Sequence, residues 1–153
     1  MNLEPGEAER PTDAALLERF RRTRNAPKAT QTLGLEMLRI DQAAMEVEAA
    51  FLAREEWTNP MGVIQGGFLM AMLDEVMSVA GVVASGLTMV MPTLEMKTSF
   101  LLSAKPGRLI GLGRVRKWGR TIAFTEGELR DEQGRLLATA TATAMPRPIA
   151  PKS

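Results

Sequence analysis

The stretch GGFLMAMLDEVMSVAGVVA, residues 66–84, constrains this chain more than any other part of it. Its pattern reads as one long helix opened by two glycines. Phe68, Leu69, Met72, Leu73, Val76, Met77, Val79 and Ala80 leave almost no polar side on a helical projection. A helix that is apolar nearly all round has to be surrounded by protein. With 153 residues the chain can build one substantial core but not two. Whatever covers the helix must therefore come from the rest of the same domain.

The remaining chain reads mostly as strands. LGLEMLRI and AAMEVEAAF alternate in part and meet at Asp41–Gln42, a turn. After Gly86 come TLEMKTSFLLS, RLIGLGRVRKW, TIAFTEGELRD and RLLATATATAM, separated by KPG, a Gly-Arg pair and EQG. Turns at that spacing predict antiparallel neighbours in a meander. In the last strand Thr139, Thr141 and Thr143 alternate with alanines, so one of its faces carries only methyl groups. The expected architecture is α+β: a long buried helix wrapped by an antiparallel sheet of about six strands. A short amphipathic helix over Thr12 to about Thr23 precedes it. Residues 1–11 and 147–153 read as flexible tails around a single domain of residues 12–146.

Composition removes whole classes of chemistry. There is no His and no Cys. Ser-His-Asp catalysis, thiolate nucleophiles and His- or Cys-ligated metal sites are thereby excluded, and no metal or cofactor is expected. A net charge of +1 leaves no basic excess for nucleic acid. No uncharged apolar run reaches the roughly 20 residues of a membrane span. The first residues, MNLEPGEAERP, lack a signal-peptide core, so a cytoplasmic location is expected. GLGRVRKWG contains a G-x-G but neither the third glycine nor the following helix of a dinucleotide site.

Hydrolytic work would then fall to carboxylates, amides, hydroxyls and backbone N–H groups. Gly66, at the helix start, leaves an N–H without an intrahelical acceptor at the positive end of the helix dipole. Such a donor suits a carbonyl oxygen on which charge develops. Asp74 lies among Met70, Met72, Leu73 and Met77. Burial there would raise its pKa and polar partners would lower it. It could serve as a nucleophile or as a general base. Glu75 points about 100° away and cannot face the same substrate. Ser78, one turn on, can bond Asp74, a water or its own helix.

The stretch NPMGVIQGGFLMAMLDE resembles the hotdog-fold acyl-CoA thioesterases. The closest branch is the PaaI-type, phenylacetate-pathway enzymes and their 4-hydroxybenzoyl-CoA relatives. Their motif, N-x-x-G-x-x-H-G-G followed after six residues by Asp or Glu, maps onto Asn59, Gly62, Gln65, Gly66, Gly67 and Asp74. Similarity extends over about residues 33–145. The resemblance implies hydrolysis of an aromatic or medium-chain acyl-CoA to a carboxylate and free CoA. It implies catalytic roles for Asp74, Gly66, Asn59 and Gln65, with Gly67, Ser78 and Thr93 beside the substrate. Gln65 departs from the family's His: it can donate and accept hydrogen bonds but cannot titrate. The alternative is a non-catalytic hotdog protein that binds an acyl thioester. Related hydratases depend on a His that this chain lacks.

Two further expectations follow. Eight helical residues put Gly66 and Asp74 about 12 Å apart at about 1.5 Å per residue. One carbonyl cannot touch both within one chain. A homodimer with composite sites is therefore expected, and the resemblance implies dimers that pair again. CoA phosphates call for basic side chains near the site, and Arg114, Arg116, Lys117 and Arg120 are the candidates.

Overall fold

The computed structural model describes residues 10–150. Helix α1 (Asp13–Arg22) begins where the Thr12 side chain accepts the Ala15 N–H at 3.2 Å. A second helix, α2 (Lys28–Leu33), follows. Strands β1 (Glu36–Asp41) and β2 (Glu46–Ala53) form a hairpin, and a short turn of 3-10 helix (Glu55–Trp57) leads towards α3 (Gly66–Ala84). Then come β3 (Met89–Val90), β4 (Thr93–Phe100), β5 (Gly107–Trp118), β6 (Ala123–Asp131), β7 (Leu136–Ala144) and β8 (Arg147–Pro148). Six strands form one antiparallel sheet in the order β1-β2-β5-β6-β7-β4.

The helix sits on that sheet because the sheet has made room for it. Gly113 of β5 pairs with Gly127 of β6, which pairs with Ala140 of β7. A Cβ at Gly113 would run into the Val76 carbonyl of α3, and one at Gly127 would press on Met77 and Leu73. The alanines of β7 foreseen as a methyl face, Ala138, Ala140, Ala142 and Ala144, are buried on this side. Leu69, Met72, Leu73, Val76, Met77 and Ala80 of α3 are buried as well. Among the described residues α3 alone is long and apolar enough to cross a membrane. Here it is the core helix.

Several expectations need correction. The strands after α3 do not form a four-strand meander. Only β5, β6 and β7 do; β4 pairs with β7 at the far edge, while β5 lies beside β2. The helix carries the chain across the sheet, so β4 lands on the edge opposite β1 rather than beside β2. Residues 101–106 then serve as a return rather than a tight turn, and Leu101 and Leu102 both donate to the Leu137 carbonyl.

The C-terminal tail does not begin at residue 147. Arg147–Pro148 pairs with Met89–Val90, and the Ile149 N–H donates to the Thr88 carbonyl at 2.9 Å. At the other end Gln42 Nε2 donates to the Pro11 carbonyl at 2.8 Å, so the tail's last residue is held. The rest of both tails, residues 1–9 and 151–153, lies outside the described residues. Helix α2 was not foreseen, because six residues carry too little periodicity to read. Its punctuation was nonetheless present: Pro27 before its first residue and Gly34, at φ 65°, after its last.

Candidate active site

The start of α3 is held by its surroundings from two sides. The Gln65 N–H donates to the Trp57 carbonyl at 2.9 Å, and the Ile64 N–H donates to the Ala104 carbonyl at 2.8 Å. Trp57 stacks on Phe68 with ring centroids 4.7 Å apart and planes 4° from parallel. That stack locks the preceding loop to the first turn of the helix. Asn59 organises the loop itself: its Oδ1 accepts from the N–H groups of Met61 and Val63 at 3.0 and 3.4 Å. Its carbonyl oxygen is thus used locally, leaving the Nδ2 donors for anything beyond.

Gly66 and Gly67 are the first residues of α3, and among the described residues neither N–H finds a protein acceptor. The two glycines differ in their surroundings. A Cβ on Gly66 would sit 2.9 Å from Phe100 Cζ, whereas one on Gly67 would meet nothing within 4 Å. Packing therefore does not require glycine at position 67. Gln65 is exposed, and its side chain makes no cap hydrogen bond to the start of α3. A cleft of about 310 Å³ lies against Gly66, lined by Val63, Phe100 and Leu101–Ala104 among others.

Further along the helix the two adjacent acids part company. The Thr93 hydroxyl donates to Asp74 Oδ1 at 2.6 Å, while the Thr30 hydroxyl donates to Glu75 Oε1 at 2.6 Å. Asp74 is half-buried rather than deep in the core. Its partner, Thr93, is exposed at the first residue of β4. Ser78 makes no bond to Asp74; it lines a separate cavity together with Glu75.

Strand β4 relates these two places. It is one of the two outer strands of the sheet, with its second edge unpaired in the single chain. Its first residue, Thr93, touches Asp74, and its last, Phe100, lies over Gly66. Leu94, Phe100, Leu101 and Leu102 are each half or more exposed along this edge and just beyond it. The helix keeps Gly66 and Asp74 about 12 Å apart. Within one chain the structure does not bring them together.

The basic candidates divide as well. Leu109, Gly111, Gly113 and Val115 of β5 face the helix, so Arg114 faces away from it. Arg114 pairs with Glu46 at 3.3 Å and Glu126 at 3.4 Å, and Arg116 pairs with Glu126 at 3.5 Å. These two arginines are engaged in cross-strand ion pairs. Lys117 and Arg120 are exposed near the β5–β6 turn. That turn lies at the Asp74 end of the sheet, because Trp118, Ala123, Ala144 and Thr93 follow one another in register. A basic residue missed in sequence, Lys105, lines a cleft that shares Ser103 and Ala104 with the one at Gly66. Nothing local in KPG marks it, since the proximity arises from the return of the chain after β4.

The family model of the thioesterase superfamily matches residues 61–138, from the loop before α3 into β7. The chain belongs to the thioesterase superfamily. It is a thioester hydrolase with the hotdog architecture described above. A Ralstonia eutropha JMP134 protein related to phenylacetic acid degradation is 35% identical, with a TM-score of 0.77 over 84% of this chain and 98% of that one. A Saccharolobus solfataricus protein proposed to be an esterase is 27% identical over 76% of this chain and 81% of its own length. The PaaI protein of E. coli shares the fold, with 18% identity and a TM-score of 0.69 over 76% of this chain and 86% of that one.

Proposed function

We propose that this thioesterase hydrolyses an acyl-CoA with an aromatic or medium-chain acyl group, at sites shared between two copies of the chain. One observation carries the reading: β4 presents an unpaired edge with Asp74 at its beginning and Gly66 at its end. Antiparallel pairing of two such edges about a two-fold axis sets the beginning of one against the end of the other. Asp74 of one copy then approaches Gly66 of its mate. The exposed leucines and Phe100 along the edge are covered by the same contact.

In such a site the thioester carbonyl oxygen accepts from the free N–H groups at the start of α3. The donors are already oriented, so they stabilise the oxyanion as it forms. Thr93 holds one oxygen of Asp74 and leaves the other open to the substrate. Acting as base, Asp74 takes a proton from water while the water oxygen attacks the carbonyl carbon. Collapse of the tetrahedral intermediate expels CoA as thiolate, which is then protonated. Acting as nucleophile, Asp74 instead forms an acyl anhydride as the thiolate leaves, and water cleaves it. The Asn59 and Gln65 amides orient the carbonyl or the pantetheine, with Gly67 giving close backbone access. Lys117 and Arg120, free of ion pairs among the described residues, suit the phosphates better than Arg114 and Arg116. Two such dimers pair again into a tetramer, which sedimentation reads directly.

Mixing two inactive variants tests the shared site. Asp74→Asn and Gly66→Val are each expected to be inactive. Mixed after co-refolding, half the dimers are hybrids, and each hybrid holds one intact site. About a quarter of wild-type activity should return by random reassortment. No recovery on mixing would show that each site belongs to a single chain.

A further inference from the structure

The basic residues are spread unevenly along the chain. Five of the 19 fall between Arg19 and Lys28 with no acid among them, which leaves 14 against 18 acids elsewhere. All five, Arg19, Arg21, Arg22, Arg24 and Lys28, are exposed. Only Arg22 has an ion pair among the described residues, with Glu18 one turn before it. Arg21 donates its Nε–H to the Met37 carbonyl at 3.3 Å, which leaves its charge without an acid.

Helix electrostatics account for part of this cluster. Arg19, Arg21 and Arg22 stand in the last turn of α1, where the helix dipole favours cations. Arg24 lies past that helix, and Lys28 opens α2, the end at which the dipole opposes a cation. No ion pair among the described residues offsets either charge. The segment also has a fixed place relative to the chemistry. Thr30, two residues after Lys28, bonds Glu75, the neighbour of Asp74 in α3. Arg21 and Asn25 share the wall of a cavity between α1, α2 and α3 with Glu75 and Ser78. The basic face thus stands beside the middle of the core helix.

We infer that residues 19–28 dock an acidic carrier protein that presents the acyl group on a phosphopantetheine arm. Such a carrier ends in the same thioester as acyl-CoA, so the bond cleaved is unchanged. A nucleotide offers a few phosphates to grip. A protein offers an acidic surface, which complements five cations spread over ten residues. The make-up of the segment disfavours other polyanions. Its one large apolar residue, Phe20, packs on the core, so nothing apolar accompanies the charge into a lipid interface. No exposed aromatic ring stands among the cations to stack on the bases of a nucleic acid. Docking beside α3 makes delivery of the thioester an intramolecular step, which raises its effective concentration at the shared site. The inference rests on the thioester-hydrolysing site proposed above and adds a second carrier to acyl-CoA.

The test compares octanoyl and phenylacetyl thioesters on three carriers: plain pantetheine, CoA and an acidic acyl carrier protein. At low ionic strength wild type should favour the protein-borne thioester over the pantetheine one by at least about tenfold in kcat/KM. That advantage should shrink as salt rises. Reversing Arg19, Arg24 and Lys28 together to Glu should abolish it through KM and leave hydrolysis of the pantetheine thioester unchanged. Arg24→Gln with Lys28→Gln should give a smaller loss and guards against a triple variant that fails to fold. A protein-borne thioester no better than the pantetheine one, or equally good in wild type and both variants, overturns the inference. A triple variant that slows the CoA thioester as much as the protein-borne one makes the cluster a nucleotide clamp and also overturns it. So does loss of binding to anionic vesicles or RNA in the variant with no carrier advantage in wild type. Calorimetry with the carrier protein bearing an amide in place of the thioester reads docking without turnover. Binding by wild type and not by the triple variant, with no thioester hydrolysed, would overturn the proposed reaction and leave the docking surface standing. Hydrolysis on all three carriers with no preference among them would do the opposite.

Discussion

The Thr93 hydroxyl donates to Asp74 Oδ1 at 2.6 Å, joining the first residue of the edge strand to the middle of the core helix. If Asp74 is the acid of the reaction, Asp74→Asn should lower kcat by about a hundredfold or more. Thr93→Val removes only the bond that orients it. The expected loss is about tenfold in kcat with KM little changed, since the group acts on Asp74 rather than on bound substrate. Release of CoA thiol from wild type and the two variants checks both.

The two glycines at the helix start should respond differently to the same change. A methyl at position 67 meets open space, so Gly67→Ala should stabilise the protein by up to about 1 kcal/mol through helix propensity. That corresponds to roughly 2–4 °C in Tm for a domain of this size. A methyl at position 66 meets the Phe100 ring and stands over the N–H proposed to bind the oxyanion. Gly66→Ala should bring no comparable stabilisation and lower kcat/KM at least about tenfold. Thermal unfolding beside steady-state kinetics separates the two effects.

Gly113→Ala should be among the most damaging single methyl additions in the sheet. The new Cβ would run into the Val76 carbonyl, part of the helix backbone, which cannot turn aside as a side chain can. A loss of about 1–3 kcal/mol or more is expected from overpacking. Urea unfolding would show it as a lower midpoint at unchanged slope.

Thr98 carries a buried hydroxyl with no hydrogen-bond partner among the described residues. Thr98→Val keeps the shape and removes the unsatisfied group, so a gain of about 1 kcal/mol is expected. The same unfolding experiment measures it.

How much of this was legible in the sequence depended on how local the cause was. The span of α3 followed from the composition of residues 66–84 alone, and the six strands of the sheet showed as segments set off by turns, with alternation plain in the first two and the last. The placement of β4 did not follow, because the turn-like KPG looks the same whether it joins neighbours or starts a return across the sheet. Within the site, the spacing of Gly66 and Asp74 was visible, and so was the impossibility of their meeting in one chain. The partners of the acids were less visible. Thr30 lies 45 positions from Glu75, and Thr93 lies 19 from Asp74 and was placed near the site by resemblance alone. Arg114 and Arg116 were proposed for phosphate because strand periodicity says which residues share a face. It does not say that Glu46 and Glu126 will stand beside them from two other strands.

The contact of Gly113 with Val76 bears on how such a protein can change. Main chain rests on main chain there, so the helix height is set by atoms common to every amino acid. The cavity flanked by α1 and α2, by contrast, is walled by side chains drawn from several separate segments. Exchanges in that wall can redraw the cavity while both ends of the helix stay where they are. The shape of that cavity is free to drift without disturbing Gly66 or Asp74.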